Sequence, residues 1–156
     1  EFASGIGAEG KTDKPTDYVA LLEQVGQADN ERLQELAGRA LVHRAVQLQL
    51  IDHVFHGVND GSLPPTAGSI IRISHAENID LELDTTLAIT GSAGVVDTGD
   101  DLFPLGERYL SRQTASLGGG TTEVGRNVIG ERVLGFPREY AADKGVPFNQ
   151  VKRGRS

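Results

Sequence analysis

The sequence predicts an all-α fold, an antiparallel helical bundle, and three observations carry that expectation. Apolar residues recur at helical spacing between Leu33 and Val58. The stretch 69–90 runs without an internal Gly or Pro, and Gly- or Pro-rich turns separate the apolar segments.

Residues 1–16 are rich in Gly and polar residues and read as a flexible linker. From Asp17 the pattern changes. Tyr18, Leu21, Leu22 and Val25 follow helical spacing, with Asp17 as the cap and Gly26 as the stop. Asp29 and Asn30 offer caps for a second helix whose apolar stripe is Leu33, Leu36, Ala37, Ala40, Leu41, Leu48, Ile51, Phe55 and Val58. Val42, Ala45 and Val46 widen that face, and Gly57, Asn59-Asp60-Gly61 and Pro64-Pro65 end it. A helix of this span is about 40 Å long, the scale of a bundle.

The stretch 69–90 is ambiguous by pattern alone. Ile71/Ile73 and Leu81/Leu83 alternate as in a strand, whereas Ile70, Ile73, Glu77, Leu81, Asp84, Leu87 and Ala88 fit a helix. Its length favours the helix, because strands average about five or six residues. Gly91-Ser92-Ala93-Gly94 is a break, and 97–106 is a turn-rich acidic loop. A short helix is expected over 105–115 and a last one, capped by Thr121, from there to Leu134; Gly118-Gly119-Gly120 separates them, and Gly135 and Pro137 stop the second. The bundle occupies 17–140, and 141–156 is a tail along the surface.

Composition narrows the function classes. The net charge of −7 disfavours nucleic acid as a partner, since phosphate is neutralised by the opposite sign. Lys152, Arg153 and Arg155 read as a solvated tail. No apolar run is long enough to span a membrane, and without cysteine there is no thiolate chemistry. A cytoplasmic location fits these facts. The opening Glu1-Phe2-Ala3-Ser4-Gly5-Ile6-Gly7 has the features of neither a signal nor a transit peptide and reads as the middle of a longer polypeptide.

The most specific stretch is Leu117-Gly-Gly-Gly-Thr-Thr-Glu-Val-Gly-Arg-Asn-Val-Ile-Gly-Glu-Arg-Val-Leu-Gly-Phe-Pro-Arg-Glu139. A glycine run meeting a helix start lets backbone amides approach an anion or a planar ligand. The whole string resembles the C-terminal signature of acyl-CoA dehydrogenases, most of all the bacterial members. Ser69-Ile70-Ile71-Arg72 is similar to the Ser-Ile-x-Lys that opens the family's preceding long helix, and Gly91-Ser92-Ala93-Gly94 to its Gly-Gly-x-Gly turn. The resemblance covers 17–140 and is strongest at 117–139.

What the resemblance implies is most of the C-terminal bundle of a flavoenzyme, incomplete at its N-terminal side because the bundle's first helix is missing. Flavin adenine dinucleotide (FAD) would lie between subunits. Gly91, Ser92 and Gly94, together with Thr121 and Glu123, would contact its phosphates and adenosine end. The substrate would be an acyl-CoA, dehydrogenated between its α and β carbons, and the assembly a homo- or hetero-oligomer of such subunits. Three residues depart from the family. Gly119 occupies the position of the common catalytic glutamate, Ala88 that of a cofactor-binding Gln, and Ser92 that of a glycine. The base is therefore expected upstream or on another chain, and the alternative is a non-catalytic interaction subunit or a free-standing bundle. Glu123 suits a structural carboxylate or a ribose-hydroxyl acceptor better than a base, because the helix dipole stabilises its charged form.

The remaining candidates have bland readings. His53 and His56 share a helix face beside Asp52 but lack further ligands for a metal, and His43 and His75 stand alone. Asp97, Asp100 and Asp101 lack calcium-loop spacing.

Overall fold

A computed structural model describes residues 16–97, 99, 101–138, 140 and 143–151. The expected linker, apart from Thr16, lies outside the described residues, as do Asp100, Glu139 and the basic residues Lys152, Arg153 and Arg155. Among the described residues the chain forms five α-helices and no strand. Helix α1 (Tyr18–Gln24) starts where Asp17 accepts a hydrogen bond from the Ala20 amide at 3.1 Å. Helix α2 (Glu31–Asn59) is capped by Asn30, which accepts from the Leu33 amide at 3.3 Å. A 3-10 turn at Pro65–Ala67 reverses the chain into α3 (Gly68–Thr90), so the helical reading of the ambiguous stretch is the one observed.

The fourth helix differs from expectation. Helix α4 (Phe103–Leu110) begins inside the stretch read as loop and gives way to a 3-10 segment, Arg112–Ser116. Pro104 is tolerated because it falls in the first helical turn, where its missing N–H has no intrahelical partner to lose. At the other end the Ser111 hydroxyl donates to the Arg108 carbonyl at 2.9 Å, and Thr114 to the Ser111 carbonyl at 2.7 Å. These hydroxyls claim carbonyls that a regular α-helix needs. Helix α5 (Thr122–Val128) starts at its expected cap and runs into a π-turn, Ile129–Val133, instead of continuing as a regular helix.

Helix α3 packs against each of the other four helices. On one side α2 runs antiparallel to it: Gln47 meets His75, while Ala40 and Leu41 lie beside Asn78 and Glu82. On the other side the chain returns along α3, with Arg112 pairing with Asp84 and Arg126 with Glu77. The hydrophobic core gathers at the C-terminal half of α3, from Tyr18, Leu21, Leu22, Ala37, Ala40, Ile89 and Leu102. Burying each leucine there contributes about 1.5–3 kcal/mol. The Tyr18 hydroxyl donates to the Glu82 carbonyl at 3.4 Å; burial, and then the Glu82 charge, push its pKa up to about 12. Thr86 and Thr90 are buried on α3 by returning their hydroxyls to the carbonyls of Glu82 and Thr86, at 2.8 and 3.1 Å.

Helix α2 corrects the expected stripe. Ala37, Ala40 and Val54 face inward, but Leu41, Leu48 and Phe55 stay 47%, 51% and 62% exposed. The inward seam runs through Gln47, only 1% exposed, and the exposed row lies about 100° round the helix from it. Gln47 is kept in the seam by a polar chain. Arg44 donates to its Oε1 at 3.3 Å, which leaves Nε2 to donate to Nδ1 of His75 at 3.1 Å. His75 must then be neutral, with its proton on Nε2. Burial, and then the Arg44 charge, hold its pKa below the usual value, against the opposing pull of Glu82.

Two outcomes follow from this packing. A Cβ on Gly106 would overlap the Gly94 carbonyl, so Gly106→Ala lowers unfolding free energy by about 1–3 kcal/mol. Leu48→Ala, on the exposed row, changes it by no more than about 0.5 kcal/mol in the monomer; urea titration of both variants measures the difference. For His75 the folded pKa lies below the unfolded one. Its contribution to stability is therefore full above the unfolded value near 6.5 and is lost as pH falls toward the folded value. An NMR titration of the His75 ring should show the low pKa, and His75→Gln should flatten the stability slope in that window.

Candidate functional site

The residues singled out from sequence fall into two groups at the two ends of α3. Gly91, Ser92 and Gly94 follow its last turn, while Gly119, Thr121 and Glu123 lie beside its first half. Arg72, which touches the second group, is separated from Gly91 by about 28 Å of helix at 1.5 Å per residue. One chain does not bring the two groups together.

At the first end, Gly91 has φ +54° and ψ −130°, a conformation that side chains other than hydrogen rarely adopt. Its amide caps α3 by donating to the Leu87 carbonyl, and the space where a Cβ would stand is open. Ser92 is exposed beside it, and its carbonyl accepts from the amides of Val95 and Val96, both at 3.0 Å. Gly94 differs from its neighbours. It is buried; a Cβ there would collide with the Thr90 hydroxyl, and its carbonyl is covered by Gly106. Helix packing alone accounts for this glycine. Ala88 is exposed on the preceding turn.

At the second end, the Thr114 carbonyl accepts the Gly118 amide at 3.0 Å and the Leu117 carbonyl accepts the Gly120 amide at 3.2 Å. Gly119 and Gly120 take φ values of +73° and +107°. A glutamate at Gly119 would carry that left-handed backbone, so the position suits glycine for a reason independent of chemistry. Thr121 caps α5 through its hydroxyl, which accepts the Val124 amide at 3.3 Å. Glu123 is exposed in the first turn; its own backbone amide, then the Thr121 hydroxyl, hold its carboxyl below the usual range. That makes it a standing anion and hydrogen-bond acceptor. It is not poised to take a proton at neutral pH.

Sequence reading missed the role of Arg72, quoted only as part of a helix-opening string. Its Nε donates to the Gly118 carbonyl at 3.0 Å and its Nη2 to the Ser116 carbonyl at 3.4 Å. Gly125 is likewise a packing residue, since a Cβ there would stand 3.3 Å from Ile73. Nothing in one sequence marks either contact, because the partners are more than forty residues apart.

The other candidates stay apart from both groups. Asp52 and His56 form an exposed pair at 3.3 Å on α2, and among the described residues no group of three or more His, Asp or Glu side chains could hold a metal. A groove of about 370 Å³ lies between α5, the π-turn and 134–137, lined by Ile129, Leu134, Phe136 and Arg126 among others. Among the described residues no helix is long and apolar enough to cross a membrane. No protein-family profile, curated protein or solved structure matches this chain.

Thr121→Ala removes the α5 cap and should cost about 1 kcal/mol of stability, whereas Thr121→Ser should restore most of it. Thermal unfolding followed by circular dichroism checks both.

Proposed function

We propose that this chain is the C-terminal part of a flavin-dependent acyl-CoA dehydrogenase, contributing FAD contacts and the subunit interface. The observation that supports this most is the pair of open glycine turns at opposite ends of one long helix in an all-α bundle. Both turns stand in the order and at the sequence positions that the resemblance requires.

The residues suit the cofactor's parts. Phosphate oxygens need close approach, which the unobstructed Gly91 turn permits, and a hydrogen-bond donor, which the exposed Ser92 hydroxyl can be; the Gly91 amide is itself spent on Leu87. Ribose hydroxyls need an anionic acceptor, which Glu123 is. Neighbouring parts of one dinucleotide cannot reach two groups separated by about 28 Å of helix. The phosphate contacts and the adenosine-end contacts of one FAD must therefore come from two copies of the chain, or from this chain and a similar partner. The exposed row Leu41, Leu48 and Phe55 supplies apolar surface for such an assembly.

When bound, FAD supplies the hydride acceptor for dehydrogenation of the acyl-CoA between its α and β carbons. The residues of this chain hold and orient. None described in the two turns is suited to remove the α-proton: Gly119 has no side chain, and Glu123 is held as the anion. That observation favours a second reading, a non-catalytic interaction subunit that keeps the bundle and its contacts.

The test is flavin uptake by the purified chain. The proposal expects a visible flavin band that travels with an oligomer through gel filtration. Glu123→Gln should weaken FAD affinity about tenfold or more, the worth of one hydrogen bond to a charged group. Gly91→Val should do likewise by straining the turn. A helical oligomer that takes up no added FAD would exclude the cofactor-binding role.

A further inference from the structure

Four arginines of the described bundle, Arg72, Arg112, Arg126 and Arg138, make side-chain contacts on or near α3 and α5, and one stands out. Arg112, Arg126 and Arg138 pair with Asp84, Glu77 and Glu131. Arg72 has no carboxylate partner among the described residues and spends its hydrogen bonds on two backbone carbonyls, those of Ser116 and Gly118. Its Nη1 is buried and has no hydrogen-bond partner among the described residues. A Cβ on Gly119 would stand 3.6 Å from Nε, and one on Gly125 3.7 Å from Nη1. The guanidinium thus lies between the glycine turn on one side and α5 on the other, with Nη1 on its buried side.

We infer that Arg72 is a positioning residue for the glycine turn, and through it for Thr121 and Glu123. This rests on the FAD reading for what the turn presents, but not for the turn's own order. Three consecutive glycines have more backbone freedom than any other tripeptide, and the turn's own amide hydrogen bonds are local, reaching only Thr114 and Leu117. They shape the turn without fixing it to the bundle. The long-range tie is Arg72, 46 residues away from Gly118. A planar fork can hold two carbonyls at once in a set orientation; an ammonium acts as a point donor and cannot reproduce it.

Arg72 lies away from the main apolar cluster. The core of Tyr18, Leu21, Leu22, Ala37, Ala40, Ile89 and Leu102 draws on the opposite half of α3. Loss of Arg72 should therefore loosen one end of the bundle while the other stays closed.

The experiment compares wild type, Arg72→Lys and Arg72→Met by amide hydrogen exchange and by FAD titration. Arg72→Met should raise exchange at 117–124 at least tenfold, leave 37–54 unchanged and weaken FAD binding at least tenfold. Arg72→Lys should fall between, keeping the charge but losing the fork. Unchanged exchange at 117–124 would overturn the inference, and so would a rise spread evenly over the whole chain. If the turn loosens as expected while wild type binds no FAD, Arg72 stands as the organiser of the turn and only the flavin reading falls.

Discussion

The structure depends on α3 being closely approached from several sides. A central helix in a small bundle must present narrow side chains, and α3 buries Ala76, Thr85, Thr86 and Thr90 beside Leu83 and Ile89. Thr86 and Thr90 can be buried there because the helix's own carbonyls accept their hydroxyls. The same need for close approach explains Gly106 against Gly94 and Gly125 against Ile73. At both contacts a single methyl would push backbone or side chains apart.

This central helix has unlike ends. Its C-terminal half meets α1, α2 and Leu102 in an apolar cluster, whose stabilisation is non-directional and tolerant of small shifts. Its N-terminal half is joined to the returning chain by directional contacts instead: Arg72 to two carbonyls, Arg126 to Glu77, and His75 to Gln47 across the other face. The polar chain Arg44–Gln47–His75 admits one arrangement of donors and acceptors while His75 is neutral. Protonation would set two donors against each other, so that seam is sensitive to acid in a way the apolar cluster is not.

The separation of the glycine turns bears directly on the functional proposal. On that proposal each chain would offer two half-sites to different neighbours, and ligand binding and assembly would be linked, because occupancy of a shared site favours the oligomer by mass action. The apolar row on α2 fits the same picture, because Leu41, Leu48 and Phe55 lie outside the seam that α3 covers. Gly119, at a positive φ, and Glu123, with its carboxyl held low, give the turn an exposed backbone and a standing anion.

The amino-acid sequence encodes most of the helices legibly, because their signals are local. Asp17, Asn30 and Thr121 cap within three residues of themselves, and the 69–90 run had no breaker. It also placed the glycine turns, since positive φ values at Gly91, Gly119 and Gly120 are properties of single residues. It misjudged α4, where competition between hydroxyls and the helix ladder decided the boundary. It also misjudged the α2 stripe, because an apolar arc wider than one partner covers leaves the choice of seam to packing. Long-range packing set the approach of Gly94 to Gly106, the hydrogen bonds of Arg72 to the glycine turn, and the wide separation of the two candidate half-sites. The first two are contacts between residues distant in the chain, the third follows from the length of α3 between them, and no local pattern encodes which residues will meet across that helix.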